Sequence, residues 1–437
     1  MADPAMSVSP YWGLTFDADG DVDGWERQRL FAGAADRGVR DLVVFAHGWN
    51  NDRAVAARLH SRFFAPIPDL SPAARIGYVG VVWPSIRFPD EPVPDFPRWA
   101  SDGTAGAGLD KDTRHALLET FPGRAVMIEQ LARLLEQQPC ERAELEEFGR
   151  LVRLLVEVVP PGPQLLFAAD TLAEGVPQNE PGIFSQPTAS VCDDFARALA
   201  YLQSPGGTAG FTPPGPWKGA HELLRQATYH AMKRRAGTVG ERGLGRVVGQ
   251  LAAAAPWLRV HLVGHSFGAR LVSFALRGLP RGVRTVKSVT LLQGALSHYV
   301  FAARLPHDAR ATGVLQGQQN RVDGPLVCCH SRHDSALGTL YPLASRPAGD
   351  ARSVAAVDIG RALGPRWGAL GHDGVRAVPG TRAVTLAEAL LTPLPRSGCV
   401  NVDAAAVVRR GGPPSGAHSD IVHPELARVV LRAGRVR

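Results

Sequence analysis

Leu258-Arg259-Val260-His261-Leu262-Val263 runs without a break into Gly264-His265-Ser266-Phe267-Gly268-Ala269-Arg270, and this stretch decides the fold. Its first part is a short, mostly apolar run of the length and kind found in strands buried on both faces. Leu271, Val272, Phe274 and Ala275 then follow at helical spacing. A strand that turns straight into a helix forces the corner residue into a strained backbone conformation, and small flanking residues relieve the crowding. The Ser266 hydroxyl is then held clear of the sheet as a nucleophile. The Phe267 amide lies at a helix N-terminus, where an oxyanion can bind. The bare G-x-S-x-G pattern is a weak signal in a chain with 47 glycines; its place between strand and helix makes it specific. The plainer alternative is a Gly-rich connection with an N-capping serine.

Similar apolar runs recur at wide intervals: Asp41 to Ala46, Gly77 to Trp83, Val286 to Leu292, Pro325 to Cys329 and Cys399 to Val402. Helical patterns fall between them at Arg53 to Arg62, Ala269 to Arg277 and Pro424 to Arg432. Alternating strand and helix predicts an α/β fold: a doubly wound, mostly parallel sheet with its ligand chemistry at the carboxyl ends of strands. An N-terminal hairpin over Val8 to Phe16, turning through Asp17 to Gly24, is expected to add edge strands. Alternating acids in that turn suggest a calcium loop, but the glycine misses the sixth position and Gln28 stands at the twelfth, so a solvated turn is the better reading.

Residues 86 to about 220 differ. A Pro-dense loop (Pro89, Pro92, Pro94, Pro97) and a Gly-rich one (Gly103, Gly106, Gly108) lead into amphipathic patterns over Thr113 to Gln137, Glu141 to Val158 and Val191 to Leu202. These predict an inserted helical unit. Its apolar residues Leu151, Leu154, Leu155, Val158, Leu165 and Phe167 suit an acyl pocket, although packing on the core explains them better.

Composition limits the function classes. Of 437 residues, 45% are apolar and 20% charged, which excludes a mainly disordered chain. No apolar run approaches the ~20 residues needed to span a bilayer, so no integral membrane segment is expected. The N-terminus MADPAMSVSP shows no secretory pattern, and Cys140, Cys192, Cys328, Cys329 and Cys399 form neither a metal spacing nor an even framework. A reduced, cytoplasmic protein is expected. The net charge is +7, but only four of 48 basic residues are lysine, and the arginines are scattered among acids without interleaved aromatics. No nucleic-acid partner is therefore expected.

The first apolar strand ends in Ala46-His47-Gly48-Trp49-Asn50. With the Ser266 motif, this resembles the α/β-hydrolase superfamily of serine esterases and lipases, whose triad runs nucleophile, acid, histidine along the chain. The phrase His261 to Arg270 is also similar to a broad group of uncharacterised bacterial serine hydrolases. The resemblance covers residues ~8–85 and ~220–437. It implies a hydrolase core at 1–85 and 220–437, with a cap or lid at 86–219, because inserted segments at strand carboxyl ends sit over the active site. His47 and Ser266 lie 219 positions apart, whereas two βα steps need only ~60–80 residues.

The resemblance also assigns roles. The His-Gly loop implies Trp49 as the second oxyanion donor, with Asn50 next, and His47 as a structural residue. Asp334, just past the strand Pro325 to Cys329, can orient a histidine and stabilise its imidazolium. The alternative for Asp334 is a turn or cap aspartate; Asp308, Asp373 and Asp403 are weaker acids. His418, between the final strand and final helix, is the expected base, ahead of His423, His330, His333 and His372. Gly264, His265 and Gly268 complete the nucleophile turn. His330, His333 and Asp334 form a compact ligand-like trio, but nothing further completes a metal site, and no cofactor is expected. The implied activity is hydrolysis of a carboxylic ester-like bond in a small acyl substrate. A thioesterase, amidase or acyltransferase would use the same residues, and a catalytically silent fold acting as a binding module is the alternative from another class.

Overall fold

The computed structural model describes residues 6–49, 51–86, 108–156, 164–177, 184, 186–203, 215–341, 365–412 and 415–436. Eleven strands are present among them: β1 (Tyr11–Thr15), β2 (Asp41–Ala46), β3 (Ile76–Val82), β4 (Thr171–Ala173), β5 (Val176–Pro177), β6 (Arg259–His265), β7 (Val286–Leu292), β8 (Ala311–Gly313), β9 (Pro325–His330), β10 (Arg382–Thr385) and β11 (Gly398–Asp403). Eight form one sheet in the order β1-β3-β2-β6-β7-β9-β11-β10, with every neighbouring pair parallel. The six expected strands appear within a residue or two of the runs that predicted them.

Parallel pairing requires both faces to be covered, and the burial shows it. Along β2, Leu42, Val44 and Ala46 join one apolar cluster and Val43 and Phe45 the other. The first cluster takes in the helices Gly24–Asp36, Pro216–Thr238 and Phe267–Gly278. The second takes in Arg53–Phe64 and Pro424–Gly434. The helix after β2 thus covers one face and the helix after the neighbouring β6 the other. Their connecting loops diverge at the carboxyl ends of these two strands, which opens a crevice there.

The N-terminal hairpin does not form. Phe16 and Val22 make a single bridge, and the chain then enters the helix Gly24–Asp36. Asp17 Oδ1 accepts from the amides of Asp19 and Asp21, which closes the turn, and the Asp23 side chain caps the helix by accepting from Glu26 N. β1 instead enters the sheet edge parallel to β3.

The inserted segment is mostly helical where it is described, with Lys111–Thr120, Ala125–Gln137, Arg142–Val156 and Thr188–Gln203. The expected helix over Thr113 to Gln137 is broken in two because Pro122 cannot donate and Gly123 adopts φ 79°. The expected boundary at 219/220 falls inside the helix Pro216–Thr238, whose Trp217 meets Phe148 at 5.7 Å between ring centroids. That helix also reaches the sheet side through Tyr229, 4.4 Å from Phe267. A small antiparallel sheet, β5-β4-β8, further joins the segment to residues that follow β7. The Pro-dense loop, Gly103, Gly106 and Val158 lie outside the described residues.

Candidate active site

Ser266 sits where β6 ends and the helix Phe267–Gly278 begins, with φ 54° and ψ −118°. A non-glycine residue in that conformation is strained and persists only where its surroundings hold it. Three hydrogen bonds do so: Ser266 N donates to Leu292 O, and Ser266 O accepts from the amides of Ala269 and Ala295. The flanking glycines are there for close approach. A Cβ on Gly264 would lie 2.3 Å from Gly268 O, and one on Gly268 would lie 2.0 Å from Ala46 O.

His418 reaches Ser266 from the loop between β11 and the last helix. Its Nε2 lies 2.9 Å from Ser266 Oγ and its Nδ1 2.8 Å from Asp334 Oδ2. With Nδ1–H donating to the carboxylate, Nε2 is left to accept the serine proton. Asp334 is fully buried, and its Oδ1 accepts from Leu337 N at 3.0 Å. The loops that carry the two residues are tied together: Ala417 N donates to His333 O and Ala336 N to Ser415 O. Ser331, also buried, anchors the acid loop by donating to Val408 O at 2.6 Å.

The other candidates make other contacts. Asp308 and Asp403 accept from the amides of Arg310 and Ala405, Asp373 pairs with His298 and His372, and His423 pairs with Asp420. Among the described residues no group of three His, Cys, Asp or Glu is placed to hold a metal ion.

The His47-Gly48-Trp49 loop packs directly on Ser266, since a Cβ on Gly48 would lie 2.8 Å from Ser266 Cβ. His47 makes its own hydrogen bonds within this region. Its Nδ1–H donates to Gly48 O at 2.8 Å and its Nε2 accepts from Trp83 N at 3.3 Å. Burial lowers its pKa to about 4, so the ring is neutral. The Trp49 ring packs against Tyr229 and Phe267. Phe267 is the first residue of its helix, and an amide at that position has no carbonyl within the helix to donate to. Asn50 lies outside the described residues.

His265 has a role that its place in the turn did not reveal. Burial lowers its pKa to about 3, with the His418 ring adding to the effect. The neutral ring donates from Nε2 to His418 O at 2.9 Å and so holds the His418 backbone.

Ser266 and His418 open into a cavity of about 640 Å³. Trp49, Tyr229, Leu337, Tyr341 and Ile421 supply apolar wall, and Arg225 and Arg410 supply charge. The insertion's Leu151, Leu155 and Phe167 are buried in the core instead, Leu154 is exposed, and Leu165 does not reach the cavity.

Behind this wall stands a charged network that the sequence did not suggest. Asp170, from the inserted segment, is 8% exposed. It takes Arg270 from the helix after Ser266, Lys233 Nζ at 2.8 Å, the Tyr341 hydroxyl at 2.6 Å and Ser297 N at 3.2 Å. Arg270 is fully buried and also donates to Phe167 O and Ala169 O. Burial alone would raise the Asp170 carboxyl; the charges of Lys233 and Arg270 overcome that and hold it well below the usual carboxylate range. An arginine one turn after Ser266, on an otherwise apolar helix face, was the available sign. Its partner could not be read from spacing.

No family model, no curated protein and no solved structure matches this chain. No described helix is long and apolar enough to cross a membrane.

Proposed function

We propose that this protein is a serine hydrolase of the α/β-hydrolase kind, cleaving carboxylic ester-like acyl bonds, with residues 86–219 serving as a helical cap. One observation carries the reading: Ser266 Oγ, His418 and buried Asp334 are joined by two hydrogen bonds of ordinary length. Ser266 and Asp334 follow the carboxyl ends of two strands of the parallel sheet, β6 and β9, and Ser266 and His418 face a cavity.

Ser266 Oγ attacks the carbonyl carbon while its proton passes to His418 Nε2. Asp334 keeps Nδ1 protonated and stabilises the imidazolium. The amides of Phe267 and Trp49 receive the developing oxyanion. His418 returns the proton to the leaving oxygen, and the alcohol departs from an acyl-serine. Water, deprotonated by His418, then attacks that ester and restores Ser266. The strained turn contributes by fixing Oγ before substrate arrives.

Hydrolysis of p-nitrophenyl butyrate by the wild type and His418→Ala tests this. The variant should lose about 10⁴-fold or more in kcat, as unit-acting catalytic groups do. Equal rates would reject the proposal.

A further inference from the structure

Ser266 shares its cavity with three aromatic side chains, Trp49, Tyr229 and Tyr341. Acyl transfer itself requires none of them. With Phe267 they form one cluster, and Tyr229 is at its centre. The Tyr229 ring centroid lies 4.4 Å from Phe267, 5.4 Å from Trp49 and 6.3 Å from Tyr341. Against Trp49 and Tyr341 the planes meet at 71° and 78°, the edge-to-face arrangement that aromatic pairs favour. Chain connectivity puts the cluster beside Ser266. Phe267 follows Ser266 directly, and Trp49 follows Gly48, which packs on Ser266. Phe267 and Tyr341 are buried, whereas Trp49 and Tyr229 are half-buried and keep surface for a ligand.

This wall is held in place from behind. The Tyr341 hydroxyl donates to Asp170 Oδ2 at 2.6 Å, and Arg270 and Lys233 hold that carboxylate in turn. Burying such charges costs free energy that a plain apolar contact would not. Here they fix the orientation of one wall ring. A ring ordered before the substrate arrives has little rotamer freedom left to lose on binding. Among the described residues the Tyr229 hydroxyl has no hydrogen-bond partner, so Tyr229 meets its neighbours through its ring. An aromatic guest extends the edge-to-face pattern, and a saturated group of the same size lacks the quadrupole to do so.

We propose that this site selects aromatic esters, substrates with an aryl ring within a bond or two of the scissile ester group. The inference rests on the serine-hydrolase reading above and names the substrate class for that same site. Trp49 and Tyr229 receive the ring, and Asp170, acting through Tyr341, is a positioning residue for the wall.

The test measures kcat/KM on two pairs of esters that differ only in whether a six-membered ring is aromatic. Ethyl phenylacetate and ethyl cyclohexylacetate place the ring on the acyl side; benzyl acetate and cyclohexylmethyl acetate place it on the alcohol side. Each value is divided by the rate with hydroxide, which removes intrinsic reactivity. In at least one pair the aromatic ester should be favoured about 2- to 10-fold by the wild type, and that pair identifies the side. The ratio should persist in Tyr229→Phe, which keeps the ring, and fall toward unity in Tyr229→Leu or Trp49→Leu. Both esters of a pair meet the same variant, so a general loss of activity cancels. A wild-type ratio near one in both pairs overturns the inference and leaves the hydrolase reading intact. So does a ratio that both leucine variants leave unchanged, or a protein that hydrolyses none of the four esters although a fluorophosphonate labels its Ser266. If Ser266 takes no fluorophosphonate, the hydrolase reading fails and this inference goes with it.

Discussion

His418 Nε2 lies 2.9 Å from Ser266 Oγ although 152 positions separate the two residues. The approach is held from three directions. His265, beside the serine, fixes the His418 backbone, Asp334 fixes its ring, and Leu292 O fixes the serine amide. A serine placed only to cap a helix would need none of these partners.

Asp334→Asn should retain the fold, since an amide oxygen can still accept from Leu337 N. It should also turn the His418 ring toward the wrong tautomer. We expect kcat on p-nitrophenyl butyrate to fall about 10³- to 10⁴-fold with little change in Tm. Full activity would remove Asp334 from the mechanism.

Gly268→Ala should damage both fold and site. Its Cβ would meet the carbonyl oxygens of Ala46 and His47, backbone atoms that cannot swing aside. A cost of about 1–3 kcal/mol and loss of Ser266 labelling are expected. Gly24→Ala, where an added Cβ meets nothing within 4 Å, is the control and should melt at or above the wild-type temperature.

The buried charges predict two unequal losses. Asp170→Asn leaves Arg270 and Lys233 buried without their counter-charge and should cost about 3–5 kcal/mol in urea unfolding. Tyr341→Phe removes one hydrogen bond to the same carboxylate and should cost only about 1 kcal/mol. Equal effects would show that the charge balance is unimportant.

Acid should weaken the fold well before carboxylates titrate. Burial lowers His47 to about 4 and His230 and His265 to about 3, and holds His60 well below its ordinary value. Between those values and about 6.5, the unfolded chain binds protons that the folded chain refuses. Stability from these groups is therefore complete above pH 6.5 and is lost as pH falls. Between pH 7 and pH 5 each should cost on the order of 1–2 kcal/mol. Urea midpoints at the two pH values check this, and an unchanged midpoint would contradict it.

What could be read before the fold was known follows from where each signal lives. β2, β6, β7, β9 and β11 are buried on both faces, so each is written as a local apolar run. The Ser266 turn is equally local, with strand, glycines and helix contiguous. The misread N-terminus shows the limit. Asp17 to Asp23 has turn chemistry in either fold, and Asp23 was the overlooked sign, since it caps the helix that replaces the second hairpin strand. Asp170 pairs with groups 63 to 171 positions away, and burial of such partners leaves no periodic trace.

The central claim, that Ser266 is an activated nucleophile, is tested most directly by mass spectrometry of the protein after reaction with a fluorophosphonate. One adduct per chain should appear on the peptide containing Ser266, should be absent from Ser266→Ala, and should form far more slowly in His418→Ala. An adduct on another residue, equal labelling of wild type and Ser266→Ala, or no adduct on the folded wild type would contradict it.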